Sequence, residues 1–310
     1  MKCRRCRGRA VVEVPRANAA FCSACFTDHY VRNLVVRAIR HDRMFGPDAR
    51  ILVAVSGGKD SLALWQILVD LGYEADGMYV GLGIGGYSDR SGKVCQDFAD
   101  RLGRKLIAVD LEEYAGYTVP QAAATKRRPA CSTCGTSKRH VFNAVARDHG
   151  YDVLATGHNL DDEVAVLFGN VLRWETGYLA RQSPVLESSH PSLVRKVKPL
   201  YRIAERETAA YCVLKGIDYV VEECPLVDGN TQLKYKRALD ALEEQSPGTK
   251  HNFLFGFLDK GKEHFPADGV ELRECESCGS ATPGDTCAYC RARSAVLLTI
   301  QPRPVDPDSP

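Results

Sequence analysis

Short apolar runs rich in β-branched residues alternate with longer stretches of helical periodicity through the middle of the chain. The runs are Ile51-Leu52-Val53-Ala54-Val55, Gly77-Met78-Tyr79-Val80, Leu106-Ile107-Ala108-Val109, Val153-Leu154-Ala155-Thr156 and Tyr219-Val220-Val221. Helical spacing fills the intervals near 60–71, 91–103, 136–149 and 160–173. Strands that alternate with helices predict parallel βαβ units, hence an α/β domain over residues 31–268 with a Rossmann-like parallel sheet. Ligands of such sheets sit at the carboxyl ends of the strands. Tyr30, Leu34, Val35, Ala38 and Ile39 predict a linking helix within 31–50, ended by Gly46-Pro47. Segments 1–30 and 269–298 lack such periodicity, and the proline-rich stretch 299–310 is expected to be a disordered tail.

Cysteine usage explains how the two aperiodic segments fold. Of thirteen cysteines, ten form five Cys-x-x-Cys pairs. Cys3/Cys6 and Cys22/Cys25 are separated by fifteen residues, and Cys275/Cys278 and Cys287/Cys290 by eight. That spacing predicts two structural Zn²⁺ sites, each closed by four thiolates, so that small zinc modules flank the α/β domain. His29 competes for the first site, but the two-residue spacing favours Cys25. Cys95 and Cys212 fall in helical patterns and read as core residues. The start, Met1-Lys2-Cys3-Arg4-Arg5, holds no apolar leader core, and no run approaches the roughly 20 residues of a membrane span. A cytoplasmic, reduced, metal-binding protein is expected. Residues 1–50 carry eleven Lys/Arg against four acids, a local +7 on a chain of net +2, as a phosphate-backbone ligand requires. Lys126-Arg127-Arg128 and Arg195-Lys196-Val197-Lys198 read individually as solvated surface.

The first strand runs into Ala54-Val55-Ser56-Gly57-Gly58-Lys59-Asp60-Ser61 and then a helix. Two glycines bring backbone N–H groups close to an anion, Ser56 and Ser61 add hydroxyls, Lys59 adds charge, and the helix start adds its dipole. This is a phosphate cradle without the Walker A spacing. It resembles the PP-loop of the ATP pyrophosphatases, which implies ATP binding with Mg²⁺ and release of pyrophosphate. The resemblance assigns Ala54 to Ser61 to the nucleotide phosphates and the Tyr79 to Gly83 strand end, with Tyr79 and Gly81, to the adenosine.

Cys131-Ser132-Thr133-Cys134 opens a helix containing Lys138, where the helix start and nearby cations favour thiolates. Cys224 lies far downstream in Glu222-Glu223-Cys224-Pro225. On spacing alone these are a redox pair with a spectator, or three unrelated thiols. Together with the PP-loop, the Thr156-Gly157-His158-Asn159-Leu160-Asp161-Asp162-Glu163 turn and the terminal zinc modules, they resemble the tRNA 2-thiouridine synthetases of the TtuA/TtcA type. That resemblance implies a [4Fe-4S] cluster on Cys131, Cys134 and Cys224 with one iron free of protein ligands; related thiolases also give such cysteines a persulfide or disulfide role. It further assigns Lys138, Asp162 and Asp60 to catalysis and Gly157 to close approach of the backbone. Asp161 or Asp162 alternatively caps the following helix, and His158 reads as structural. Implied partners are tRNA, a ubiquitin-like thiocarboxylate sulfur carrier and a second copy of the chain. Uridine 54 is preferred over the wobble uridine at 34. The alternatives are a PP-loop amidating ligase, insensitive to loss of Cys131 or Cys224, and a non-catalytic zinc-ribbon RNA-binding protein.

Overall fold

The computed structural model describes residues 1–227, 231–266 and 269–300. The amino-terminal segment forms β1 (Val12–Val14), β2 (Ala19–Phe21) and α1 (Ser23–Cys25), then a π-helical turn (Phe26–Val31) that continues into α2 (Arg32–His41). The central domain begins β3 (Arg50–Val55), α3 (Lys59–Asp70), β4 (Glu74–Gly81), α4 (Gly85–Leu102), β5 (Leu106–Asp110), α5 (Leu111–Ala115) and α6 (Val119–Ala124). It continues with α7 (Ala130–Asp148), β6 (Val153–Thr156), α8 (Leu160–Leu172), α9 (Thr176–Arg181), β7 (Val185–Leu186) and β8 (Arg195–Val197). Three helices close it: α10 (Glu205–Lys215), α11 (Thr231–Gln245) and α12 (Thr249–Gly256). Last come β9 (Arg273–Glu274), β10 (Ala281–Thr282) and α13 (Ala288–Ile300).

The main sheet has the order β5-β4-β3-β6-β8-β7, parallel except for β7 at its edge. Ile51, Leu52 and Val53 of central β3 are fully buried, which is why that strand reads as an unbroken apolar run. Successive side chains feed opposite cores. Ile51, Val53 and Val55 join Val35 and Ile39 of α2 and Phe26 of the amino-terminal module. Leu52, Met78 and Leu154 join Val141 of α7 and Tyr289 and Val296 of α13. The two terminal modules therefore cover opposite faces of the sheet. Arg16 locks the first in place by a two-pronged pair with Glu207 of α10, at 2.8 and 2.7 Å, with Tyr30 donating to the same carboxylate. In the second, Tyr289 stacks on His140 of α7 at 3.8 Å.

Three expectations change. Tyr219-Val220-Val221 is not a strand: Val220 N donates to Gly57 O at 2.9 Å, so the segment crosses the phosphate loop instead of extending the sheet. The position beside β6 belongs to β8, inside the basic run read as solvated surface. Val197 there is fully buried, while Arg195 and Lys198 reach Glu187 and Glu163 at 2.8 Å each. Finally, α13 continues through Thr299 and Ile300, and the rest of the expected tail, 301–310, lies outside the described residues.

Candidate active site

Chain order reverses between β3 and β6, so the crevice beyond their carboxyl ends is where a ligand of this sheet belongs. The Ser56 to Ser61 turn fills one side of it. Gly57 adopts φ +76°, and a Cβ there would come within 3.1 Å of Ser91 O, so glycine is required on both counts. Gly58 caps α3 with no side-chain hydrogen bond, which leaves the first-turn amides of a twelve-residue helix for an anion. The Ser61 hydroxyl accepts from Ser56 N (3.2 Å) and donates to Gly58 O (3.0 Å), tying the loop shut. This donor set fits the phosphates of a nucleotide. Gly157, at the end of β6, approaches the same turn so closely that a Cβ would lie 2.8 Å from Ser61 N.

Around this cradle runs a closed ring of polar contacts. Asp60 Oδ2 accepts from Lys59 (3.1 Å), and Lys59 also donates to Glu205 Oε1 (2.7 Å). Glu205 Oε2 accepts from Lys236 (2.8 Å), which pairs with Asp162 Oδ1 (2.6 Å). Asp162 and Asn159 bond each other's backbone N–H at 3.1 Å in a capping box that starts α8, and Asn159 Nδ2 returns to Asp60 Oδ1 at 3.1 Å. Thr208 donates to the same oxygen. Burial pushes the Asp60 carboxyl up, against the pull of Lys59 and Thr208, with the charge of Asp162 adding to the push. Burial also opposes ionisation of Glu205, but hydrogen bonds from Lys236 and Lys59 outweigh it and hold that carboxyl at about 2. Asp161 faces away: it accepts from Glu205 N (2.7 Å) and from buried Lys250, a structural role.

Sequence reasoning missed Glu205, Lys236, Asn159 and Thr208. Asn159 was findable, since Asn-x-x-Asp before an apolar helix is a capping pattern. Nothing local marks Lys236, which comes from α11. Tyr79 is turned away: its hydroxyl donates to Ser88 O (2.7 Å) and its ring lies against Gly92, leaving its backbone at the crevice. At Gly81 a Cβ would make ordinary contacts, 3.7 Å from Asp110.

Cys131 and Cys134 occupy the first turn of α7, and the Cys224 segment lies against it: Cys131 Sγ is 3.8 Å from Leu226 O. Cys224 and Cys134 pack on the same core and both border Tyr87. Burial pushes the Cys134 thiol up and outweighs the opposing charge of Lys138, contrary to the thiolate expectation. Burial pushes the His158 imidazole down, with the charges of Glu163 and Asp162 opposing the shift and those of Lys198 and Lys138 adding to it. Beside Cys131 opens a cavity of about 660 Å³, walled by Val166 and Gly169 of α8, Arg173 just beyond that helix and Tyr235 of α11. Lys236 follows Tyr235, so α11 touches both the cysteine cavity and the nucleotide ring.

Among the described residues, two groups bring four cysteine sulfurs within 4.8 Å of one another: Cys3, Cys6, Cys22, Cys25 and Cys275, Cys278, Cys287, Cys290. In the second, Cys287 N and Cys290 N donate to the Cys275 and Cys287 sulfurs at 3.2 and 3.4 Å, as zinc-bound thiolates require. His29 belongs to neither group. Among the described residues, Cys131, Cys134 and Cys224 do not form such a group.

Residues 31–239 match the family described as PP-loop domain, and residues 2–27 match the 2-thiouridine synthetase TtuA, N-terminal LIM domain. A tRNA-5-methyluridine(54) 2-sulfurtransferase of Thermus thermophilus is 48% identical over 99% of this chain and 96% of its own length. Its counterpart in Pyrococcus horikoshii is 41% identical, covering 94% and 93%. A tRNA 2-thiolation protein NcsA of Haloferax volcanii is 30% identical, covering 94% and 98%. Among solved structures, the U34-tRNA thiolase NcsA of Methanococcus maripaludis with its [4Fe-4S] cluster superposes with a TM-score of 0.82 at 25% identity, over 95% of this chain and 96% of that one.

Proposed function

The chain belongs to the PP-loop family of tRNA 2-sulfurtransferases, and we propose that it replaces the O2 of uridine 54 in tRNA by sulfur at the expense of ATP. The observation that supports this reading is that α11 reaches both regions: Tyr235 lines the cavity beside Cys131, and the next residue, Lys236, pairs with Asp162 and Glu205 in the ring at the PP-loop. The uridine O2 attacks the α-phosphorus of ATP, pyrophosphate leaves, and the poor leaving group at C2 becomes an AMP ester. Sulfide then adds at C2, the C–O bond to AMP breaks, and AMP leaves with that oxygen while C2 becomes a thiocarbonyl.

Each residue has a task in this scheme. The α3 amides, Ser56 and Ser61 hold the departing pyrophosphate. Lys59, released from Glu205 by the triphosphate, counters its charge, and Lys138 stabilises the charge that develops at the α-phosphate. Asp162, with Asp60, holds Mg²⁺ or moves a proton, and Lys236 keeps its carboxylate aimed at the crevice. Cys131, Cys134 and Cys224 hold a [4Fe-4S] cluster, which when bound supplies an iron without a protein ligand as the station for inorganic sulfur. Two zinc ions sit in the terminal modules. A ubiquitin-like thiocarboxylate protein is the sulfur source, the chain works as a homodimer, and the compartment is the cytoplasm; among the described residues no helix is long and apolar enough to cross a membrane.

Position 54 is favoured because the relatives at 48% and 41% identity carry that position in their names. The likeness to a U34-tRNA thiolase supports the wobble position as the second reading. Anaerobic incubation of the iron-loaded protein with tRNA, ATP and sulfide or thiocarboxylate tests the proposal. Nucleoside mass spectrometry is expected to find 2-thiolation at 54 together with AMP release. Thiolation at 34 would transfer the assignment to the wobble base, and no thiolation with any donor would end it.

A further inference from the structure

At the opposite end of the sheet's strands, a cavity of about 540 Å³ is lined by Arg40, Arg43, Phe45, Tyr73 and Arg195. Its place follows from the chain: Arg40 is in the last turn of α2, Tyr73 precedes β4 and Arg195 opens β8, the last two at the amino ends of the strands. Phe45 and Tyr73 meet edge to face at 5.0 Å and make one wall. Among the described residues, Arg40 and Arg43 make no side-chain hydrogen bond or ion pair. Arg195 gives one guanidinium nitrogen to Glu187 at 2.8 Å, but its Nε is buried without an acceptor. An unpaired buried donor costs about 1–3 kcal/mol, so the pocket lacks an acceptor that a ligand would supply. Of the nearby acids, Asp42 is engaged by Tyr201 at 2.6 Å, which leaves Asp48 as the remaining carboxylate of that loop. Three guanidinium forks around one cavity match a phosphate.

We propose that Arg40, Arg43 and Arg195 bind a backbone phosphate of the tRNA, at a site separate from the nucleotide crevice. The proposal rests on the tRNA reading above. Two features favour RNA over a small anion. Exposed Arg37 lies one turn before Arg40 on α2, and the amino-terminal module that leads into this helix exposes Arg4, Arg5, Arg7 and Arg9. In addition, six-residue β3 puts this pocket ~20 Å from the crevice at 3.3 Å per residue, a span that one arm of a tRNA covers while its loop occupies the active site.

The test is tRNA affinity as a function of salt for the full-length protein and for Arg40→Gln/Arg43→Asn, in which Asn suits the left-handed backbone at 43 (φ 47°). The pair is expected to weaken tRNA binding about tenfold or more and to make the log–log salt slope shallower by about one, since the one phosphate held there is no longer neutralised. ATP affinity, iron content, melting temperature and kcat at saturating tRNA should stay those of the parent. Arg195→Gln should weaken binding in the same direction. Parental affinity and slope in the double variant would overturn the proposal. So would a melting shift by inorganic phosphate or pyrophosphate that the double variant loses while tRNA binding is unchanged, which would mark a small-anion site. A parent protein that binds no tRNA would refute the thiolase reading itself, a different failure.

Discussion

The terminal four-cysteine groups and the internal three-cysteine group share the Cys-x-x-Cys spacing and differ in everything that decides chemistry. Each terminal group gathers four sulfurs within 4.8 Å and closes a tetrahedral site. The internal group has three sulfurs, spaced wider, beside a cavity of about 660 Å³ and next to Lys138. A closed site can only hold a fold together, whereas an incomplete one leaves a position for reagent. On the proposed function, the count of ligands and the space beside them, rather than the motif, would separate scaffold from reaction centre.

The largest effect expected from breaking that difference is at the internal group. Cys131→Ser, Cys134→Ser and Cys224→Ser should each reduce tRNA thiolation to background with the melting temperature nearly unchanged, as read by nucleoside mass spectrometry and calorimetry. Full activity in any of them would favour the amidating-ligase reading. On the scaffold side, Arg16→Met strands buried Glu207 without its partner, where the pair is 11% and 3% exposed. Loss of one partner of such a pair costs about 3–5 kcal/mol, to be seen as a lower denaturant midpoint with iron content intact. At the crevice, Gly157→Ala puts a methyl 2.8 Å from Ser61 N; a cost of ~1–3 kcal/mol and weaker ATP binding by calorimetric titration should follow.

The smallest effect separates the polar ring from both metal regions. The folded state holds the Glu205 carboxyl at about 2 against an ordinary 4.5. A depressed folded value means that its contribution to stability is complete above about pH 4.5 and is lost as pH falls toward 2. Glu205→Gln should therefore lower stability at neutral pH and flatten the acid limb between those values, relative to the parent. Parallel acid limbs would show that the ring does not carry this coupling.

The phosphate loop and both zinc groups were legible because their information is local: glycines in a strand-to-helix turn, and thiols two residues apart. Three of the four strands from Ile51 to Thr156, β3, β4 and β6, were legible because they are largely buried between helices, and edge strand β5 kept the apolar composition of a strand though none of its residues is fully buried. What stayed hidden depends on distant partners. Arg195-Lys196-Val197 does not look like an interior strand, because the acids that meet its charges are distant in sequence: Glu187 pairs with Arg195 and, just beyond the strand, Glu163 with Lys198. Tyr219 to Val221 has strand composition but spends its backbone on Gly57. Lys236 joins the ring only because α11 packs along α8. Arg16, counted in the basic end of the chain, serves as a buried anchor instead of a phosphate contact.

Metal analysis of anaerobically prepared protein tests the division of the cysteines most directly. Two zinc and four iron per chain are expected for the parent, and two zinc with no iron and no thiolation for the Cys131, Cys134 and Cys224 triple serine variant. An iron-free triple variant that still thiolates tRNA, or one that loses zinc along with iron, would contradict the account.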